Sequence, residues 1–293
     1  VTYRTLATTA VTGAVAAVGA RLAYRALTGF PPGGEKAWSR VNHRGEPVTL
    51  LEGPAVVSGA VAAVAVTALA GTASLALPPR LAVAIGVAGG GAAAFGVIDD
   101  LKGSGKRRGL RGHLGALRHG EVTTGAVKLA GIGTAGLLAG AVLRERGGSP
   151  VDCVINAGLI SGGANLLNLF DLRPGRAIKV AALTAGLIGS ASAATGRGAA
   201  GTAAVAAPLG AALAVLPDDL AERAMLGDSG ANALGAMLGV AASAALSRPG
   251  RLGLLTVIIA LTVISEKVSF TKVIARTPAL NWLDMLGRRP VPQ

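Results

Sequence analysis

Long apolar runs, each about the length of a bilayer crossing, recur along this chain with short polar loops between them. A helix needs roughly 20 apolar residues to cross the hydrocarbon core of a membrane. Runs of that kind lie at about 4–27, 54–77, 80–98, 122–143, 151–169, 178–195, 201–216, 229–246 and 252–272. Only 15% of the 293 residues are charged and 51% are hydrophobic, with a mean hydropathy of +0.57. A water-soluble globule of that composition would lack the polar surface to cover itself. The 44 glycines follow no period of three, which excludes collagen, and small residues in apolar runs suit helices whose backbones pack closely in lipid. One cysteine, Cys153, excludes a disulfide framework. The pattern predicts an all-α polytopic membrane protein of about nine to ten transmembrane helices, a single integral membrane domain over residues 1–293. The first run lacks a signal-peptidase pattern and is expected to stay as a helix, with Arg21 and Arg25 reaching the interface. The fifth, with Asn156, Asn165 and Asn168, is expected to break near its end.

A formal charge of +13 suggests either nucleic acid or membrane topology as its cause. With 3% aromatic residues and its bases confined to short loops, the chain does not read as a nucleic-acid binder. The loops fall into two sets on opposite sides of the predicted spans. The first set (28–53, 99–121, 170–177, 217–228 and the tail from about 266), with Lys179 at its edge, holds 18 of the 28 basic residues, and the second holds six. That bias places the first set in the cytoplasm and the N-terminus outside. The first set also has 13 of the 15 acidic residues and all three histidines, so function is sought at one membrane face. The second set reads as plain turns of Pro, Gly, Ser and Arg.

Four constellations stand on the cytoplasmic side. Phe95-Gly-Val-Ile-Asp99-Asp100 ends an apolar run in two carboxylates, against the helix dipole; a divalent cation, a lysine or a phosphate-bound metal would relieve their repulsion. The loop after it carries Lys102, Lys106, Arg108 and His113 among glycines, a composition able to wrap phosphate, and Lys128 lies a turn inside the next run. Its Gly-Ser-Gly-Lys segment lacks the spacing of a nucleotide-triphosphatase loop. Asn165, Asn168 and Asp171 fall at i, i+3 and i+6, on one helical face, before Arg173-Pro-Gly-Arg176. Gly227-Asp228-Ser-Gly opens the eighth run. Asp99, Asp100 and Asp228 are hard oxygen donors of the kind Mg²⁺ takes, and no His or Cys grouping suggests zinc. The basic tail, with Lys267, Lys272 and Arg276, is mildly amphipathic and suited to an anionic interface.

In this order the motifs resemble the polyprenyl-phosphate N-acetylhexosamine-1-phosphate transferases (glycosyltransferase 4 family). That family includes phospho-N-acetylmuramoyl-pentapeptide transferase and undecaprenyl-phosphate GlcNAc-1-phosphate transferase. The resemblance runs from about Arg40 to Gly235. It rests on Phe95-Gly-x-x-Asp99-Asp100, Gly109-Leu-x-Gly112-His113, Thr124-Gly125-x-x-Lys128, Asn165-x-x-Asn168-x-x-Asp171 and Gly227-Asp228-x-Gly-x-x-x-Leu-Gly235. It implies transfer of a sugar-1-phosphate from a UDP-sugar to undecaprenyl or another polyprenyl phosphate, with release of UMP, at the cytoplasmic face of a bacterial inner membrane. It implies Mg²⁺, with Mn²⁺ an admissible substitute, held by Asp228 and Asp100. Asp99, Asp100 and Asp228 would be catalytic. Asn42, Lys102, Lys106, Arg108, His113, Lys128, Asn165, Asn168, Asp171 and Arg176 would bind substrate or phosphate. A homodimer is admissible. The chain departs from the family where Leu-Arg-Pro-Gly-Arg follows Asp171 and where the tail has no histidine, which bears on the choice of sugar. The rival classes are a membrane transporter, which needs polar groups through the membrane depth, and a catalytically silent scaffold derived from this family.

Overall fold

A computed structural model of the chain describes residues 3–69, 77–102, 122–144, 147–194 and 198–290. Among the described residues there are nine long helices: α1 (Tyr3–Gly29), α3 (Glu52–Leu69), α4 (Pro79–Lys102), α5 (Thr124–Leu143), α6 (Pro150–Phe170), α7 (Arg176–Ala194), α8 (Gly198–Leu220), α9 (Gly227–Ala245) and α10 (Arg248–Ser265). Three short helices, α2 (Glu35–Trp38), α11 (Phe270–Arg276) and α12 (Pro278–Met285), and a hairpin of β1 (Ser39–Val41) and β2 (Pro47–Thr49) complete them. Eight of the long helices are long and apolar enough to cross a membrane. The chain is a multi-pass, all-α membrane protein with one small hairpin on it.

The ninth long helix, α9, is 19 residues long but falls short of the others in hydropathy. Its position explains this. It is surrounded by α3, α4, α5, α6, α7 and α8, and nearly every residue from Gly227 to Ala245 is buried. A helix that faces protein instead of lipid needs small residues more than apolar ones, because packing, not water exclusion, holds helices together in a bilayer. Gly239 shows how close the approach is: a Cβ there would lie 2.5 Å from the Leu159 carbonyl oxygen of α6. At the other extreme is α10, which rests on α6 through Ile258, Leu254 and Leu255 and leaves most of its surface outward.

Several expectations need correction. The fifth run is not broken near its end: α6 continues without interruption from Pro150 to Phe170, through Asn165 and Asn168. The last run is shorter than expected. It ends at Ser265, and the tail refolds into α11 and α12, packed together. Arg21 does not simply extend to the interface but forms an ion pair with Asp218 at the end of α8. The hairpin docks beside the same region, in register Ser39↔Thr49, Arg40↔Val48 and Val41↔Pro47. Thr49 then exchanges backbone bonds with the loop before α9, through Thr49 N–H to Arg223 O (3.2 Å) and Met225 N–H to Thr49 O (3.0 Å).

The contact that sets the site is the crossing of α4 and α9. A Cβ on Gly96 would lie 2.5 Å from Asp228 O and from Ser229 Cα, whereas one on Gly90, in the same helix, would meet nothing within 4 Å. Gly96→Ala is therefore expected to cost about 1–3 kcal/mol, as overpacking does, and Gly90→Ala to be neutral or mildly stabilising. Thermal unfolding of the two detergent-solubilised variants measures the contrast. Equal midpoints would show that α4 and α9 do not meet this closely.

Candidate functional site

The site begins with helix ends. The first N–H groups of any helix have no partner inside it, and they carry the positive end of its dipole. Leu226 precedes α9 and offers no side-chain cap, and Gly227, at φ +62°, turns the chain so tightly that a Cβ would press on Leu50 and Asp100. The cap comes from another helix. Asp100, buried at the end of α4, accepts the Asp228 N–H on Oδ1 and the Ser229 N–H on Oδ2, both at 2.9 Å. Arg40 of the hairpin donates to the Asp100 carbonyl oxygen, which ties the hairpin to the same corner. Both Asp100 carboxylate oxygens are thus engaged by amides, and the residue anchors the start of α9.

Its neighbour Asp99 is differently placed. The Lys128 ammonium, in the second turn of α5, donates to Asp99 Oδ2 and Asp228 Oδ2 at 2.9 Å each. Thr123 caps α5 by accepting the Ala126 N–H, which fixes the turn from which Lys128 reaches. The lysine is 14% exposed, Asp99 16% and Asp228 26%, so the three charges are partly shielded but still open to a ligand. Of the cations that could relieve the carboxylate repulsion, a lysine fills the role. Asn232 donates to the Asp228 carbonyl oxygen at 2.5 Å and steadies the same turn.

Around this triad lies a second acidic layer that sequence reading assigned no function. Glu52, at the start of α3, is wholly buried, and neither of its carboxylate oxygens has a hydrogen-bond partner among the described residues; Asp219 Oδ2 is likewise unpartnered. Asp218 is held by Arg21 and Arg223, and Glu222 by Arg44 (2.9 Å) and Asn42 (3.0 Å). The burial of Glu52 goes with the docking of α9 against Gly53, which local sequence does not reveal. Asp171 caps the end of α6, and burial, followed by the charges of Asp219, Asp228 and Asp100, holds its carboxyl well above the usual carboxylate range.

The remaining expected residues divide by location. Asn165 and Asn168 are half-buried on the last turns of α6, leading to Asp171 at its end. Lys102 is exposed at the end of α4. Asn42 is occupied in the hairpin turn, where its Oδ1 accepts the N–H groups of Arg44 (2.8 Å) and Glu46 (2.9 Å). Arg176 is buried and paired with Asp284 at 2.6 and 2.9 Å and with Thr271 at 2.9 Å, fastening the tail to α7. The Phe170–Phe270 stack, with centroids 5.1 Å apart, supports the same junction. Lys106, Arg108 and His113, with the Gly109–His113 motif, lie outside the described residues. A cleft of about 170 Å³ opens between the hairpin and the turn after α6, lined by Asn42, His43, Asp171, Arg173, Asp219 and Glu222 among others.

Among the described residues no three His, Cys, Asp or Glu side chains converge as a ready-made metal cage. Two facing carboxylates are nevertheless a fitting partial set for Mg²⁺, which keeps waters and substrate phosphate oxygens in its shell. No protein-family profile and no curated protein matches this chain.

The raised Asp171 carboxyl has a consequence for stability. An acid whose folded value lies above its unfolded one contributes stability below the unfolded value and loses it as pH rises through the folded one. From about pH 4 upward wild type should therefore lose stability that an Asp171→Asn variant keeps. Unfolding midpoints taken across that range should diverge in favour of the variant; parallel profiles would show that Asp171 is not held protonated.

Proposed function

We propose that this chain is a phosphoglycosyl transferase. It moves a sugar-1-phosphate from a UDP-activated (N-acetyl)hexosamine-type donor to undecaprenyl or another polyprenyl phosphate and releases UMP, at the cytoplasmic face of a bacterial inner membrane. The observation that carries this reading is the shared contact of Asp99 and Asp228 with Lys128, which joins three of the family-like motifs at one end of the helix bundle. Charge-matching groups placed where phosphates must meet are what phosphoryl transfer asks of a protein, since its catalysis is largely positioning and charge stabilisation.

In the reaction, an oxygen of the polyprenyl phosphate attacks the sugar-linked phosphorus. The bond from that phosphorus to the UMP oxygen breaks, and UMP carries away the electron pair. Asp99 orients the acceptor phosphate and takes its proton where one is present. Lys128 balances phosphate charge from its position between the two carboxylates. Asp228 and Asp99, not Asp100, would hold Mg²⁺. The ion, when bound, neutralises the donor diphosphate and eases departure of UMP. Asp100 keeps Asp228 in place from behind. Asp171, in the lining of the cleft beside the hairpin, and Asn168, one turn earlier on α6, serve the nucleoside side. Apolar surfaces between helices take the prenyl tail out of water.

Lys128 also favours a second reading, a catalytically silent scaffold, because it neutralises the pair without any ion. Transport has no such support: polar groups gather at the two ends of the bundle, and α9 between them is built of small, mostly apolar residues.

With Mg²⁺ and undecaprenyl phosphate, at least one member of a UDP-N-acetylhexosamine panel should give UMP, and Asp228→Ala and Asp99→Ala should each reduce the rate by at least about 100-fold. Absence of UMP from every donor would favour the scaffold. Full activity in Asp228→Ala would refute the assignment.

A further inference from the structure

The opposite end of the bundle is more than a set of turns. There the starts of α4, α6 and α10 meet the ends of α5 and α9 around a cleft of about 270 Å³. Arg80 lies about 28 Å along α4 from Asp99, at 1.5 Å per residue, so the two sites are roughly a hydrocarbon thickness apart. Arg80, Arg144 and Arg251 line the cleft, with Asp152, Asn156 and Ser243 as its other polar residues.

The cleft has a fixed part and an open part. Arg251, 13% exposed, donates to Asn156 Oδ1 at 2.8 Å and to Asp152 Oδ1 at 3.1 Å, and Asn156 is itself buried. Asp152 is shared with Arg248 at 3.6 Å. One carboxylate therefore serves two guanidinium groups and leaves the cleft in positive excess. Arg80 and Arg144 enlarge that excess: both are exposed, and neither has a carboxylate partner among the described residues. Pro78, Leu81, Leu143 and Ala244 give the cleft an apolar side next to its arginines.

We propose that this cleft binds a phosphate-bearing anion. Guanidinium forks match phosphate oxygens in geometry and charge; Arg80 and Arg144, without a carboxylate partner among the described residues, supply such forks from the start of α4 and the end of α5, beside an Arg251 fixed by Asn156 and Asp152. The apolar side suits the glycerol and acyl portion of a lipid whose headgroup phosphate occupies the cleft; free phosphate shares the same anionic chemistry. The inference does not depend on the transferase reading, since it uses none of that site's residues.

Titration calorimetry on the full chain in detergent tests it, with dihexanoylphosphatidylglycerol and inorganic phosphate as separate probes. Wild type should bind at least one of them, and Arg80→Gln/Arg144→Gln should bind it at least about tenfold more weakly. Both side chains are exposed, so the double variant should keep the wild-type unfolding midpoint. Binding of the lipid without free phosphate assigns the cleft to a headgroup, and comparable binding of both assigns it to phosphate itself. Equal affinities in wild type and double variant, or no binding of either probe, would overturn the proposal.

Discussion

The carboxylate of Asp100 holds the first turn of α9, and the arrangement of the candidate site follows from that contact. A helix start buried in a membrane protein has amide groups that water cannot serve, and here an acid from α4 serves two of them. Once α9 is held there, Asp228 can only stand next to Asp99, the preceding residue of the same acidic pair. Lys128 then has two carboxylates within reach and bridges them. The adjacent Asp-Asp motif thus has divided labour: one acid holds the start of α9 and the other pairs with Lys128.

Much of the fold was legible because apolar run length is a direct physical signal. Each of the nine predicted runs overlaps a long helix, including Gly227–Ala245, whose modest hydropathy reflects enclosure by protein, though the last stops at Ser265 and 70–76 of the second lie outside the described residues. The site was legible only in part. Asp99, Lys128 and Asp228 stood out as charges at the edges of apolar runs. Their pairing depended on which helices cross, and that is set by glycines such as Gly96 and Gly239 whose neighbours lie far away in sequence. A loop sequence cannot show that Asp284 holds Arg176 or that Glu222 accepts from Asn42, because those partners lie far away along the chain. Glu52 went unnoticed for the converse reason: nothing local says that it will be buried without a partner.

Charge in this molecule is concentrated at the two ends of an apolar bundle, and the balance differs between them. At the Asp99 end, among the described residues, both carboxylate oxygens of Glu52 and one of Asp219 are buried without a hydrogen-bond partner beside the triad. At the Arg251 end, arginines exceed the single acid they share. Buried carboxylates without partners call for a cation or protons, and a basic surplus calls for an anion. The interior between them is closed by small residues of α9, which keeps the two chemistries separate.

The most direct test of the central claim, that Asp99 and Asp228 form one cation-binding pair, is electron paramagnetic resonance of Mn²⁺ added to the purified chain together with a UDP-sugar. Wild-type protein should hold the ion in a bound spectrum, and an Asp99→Asn/Asp228→Asn double variant should leave it free in solution. Equal retention by the two proteins would contradict the account.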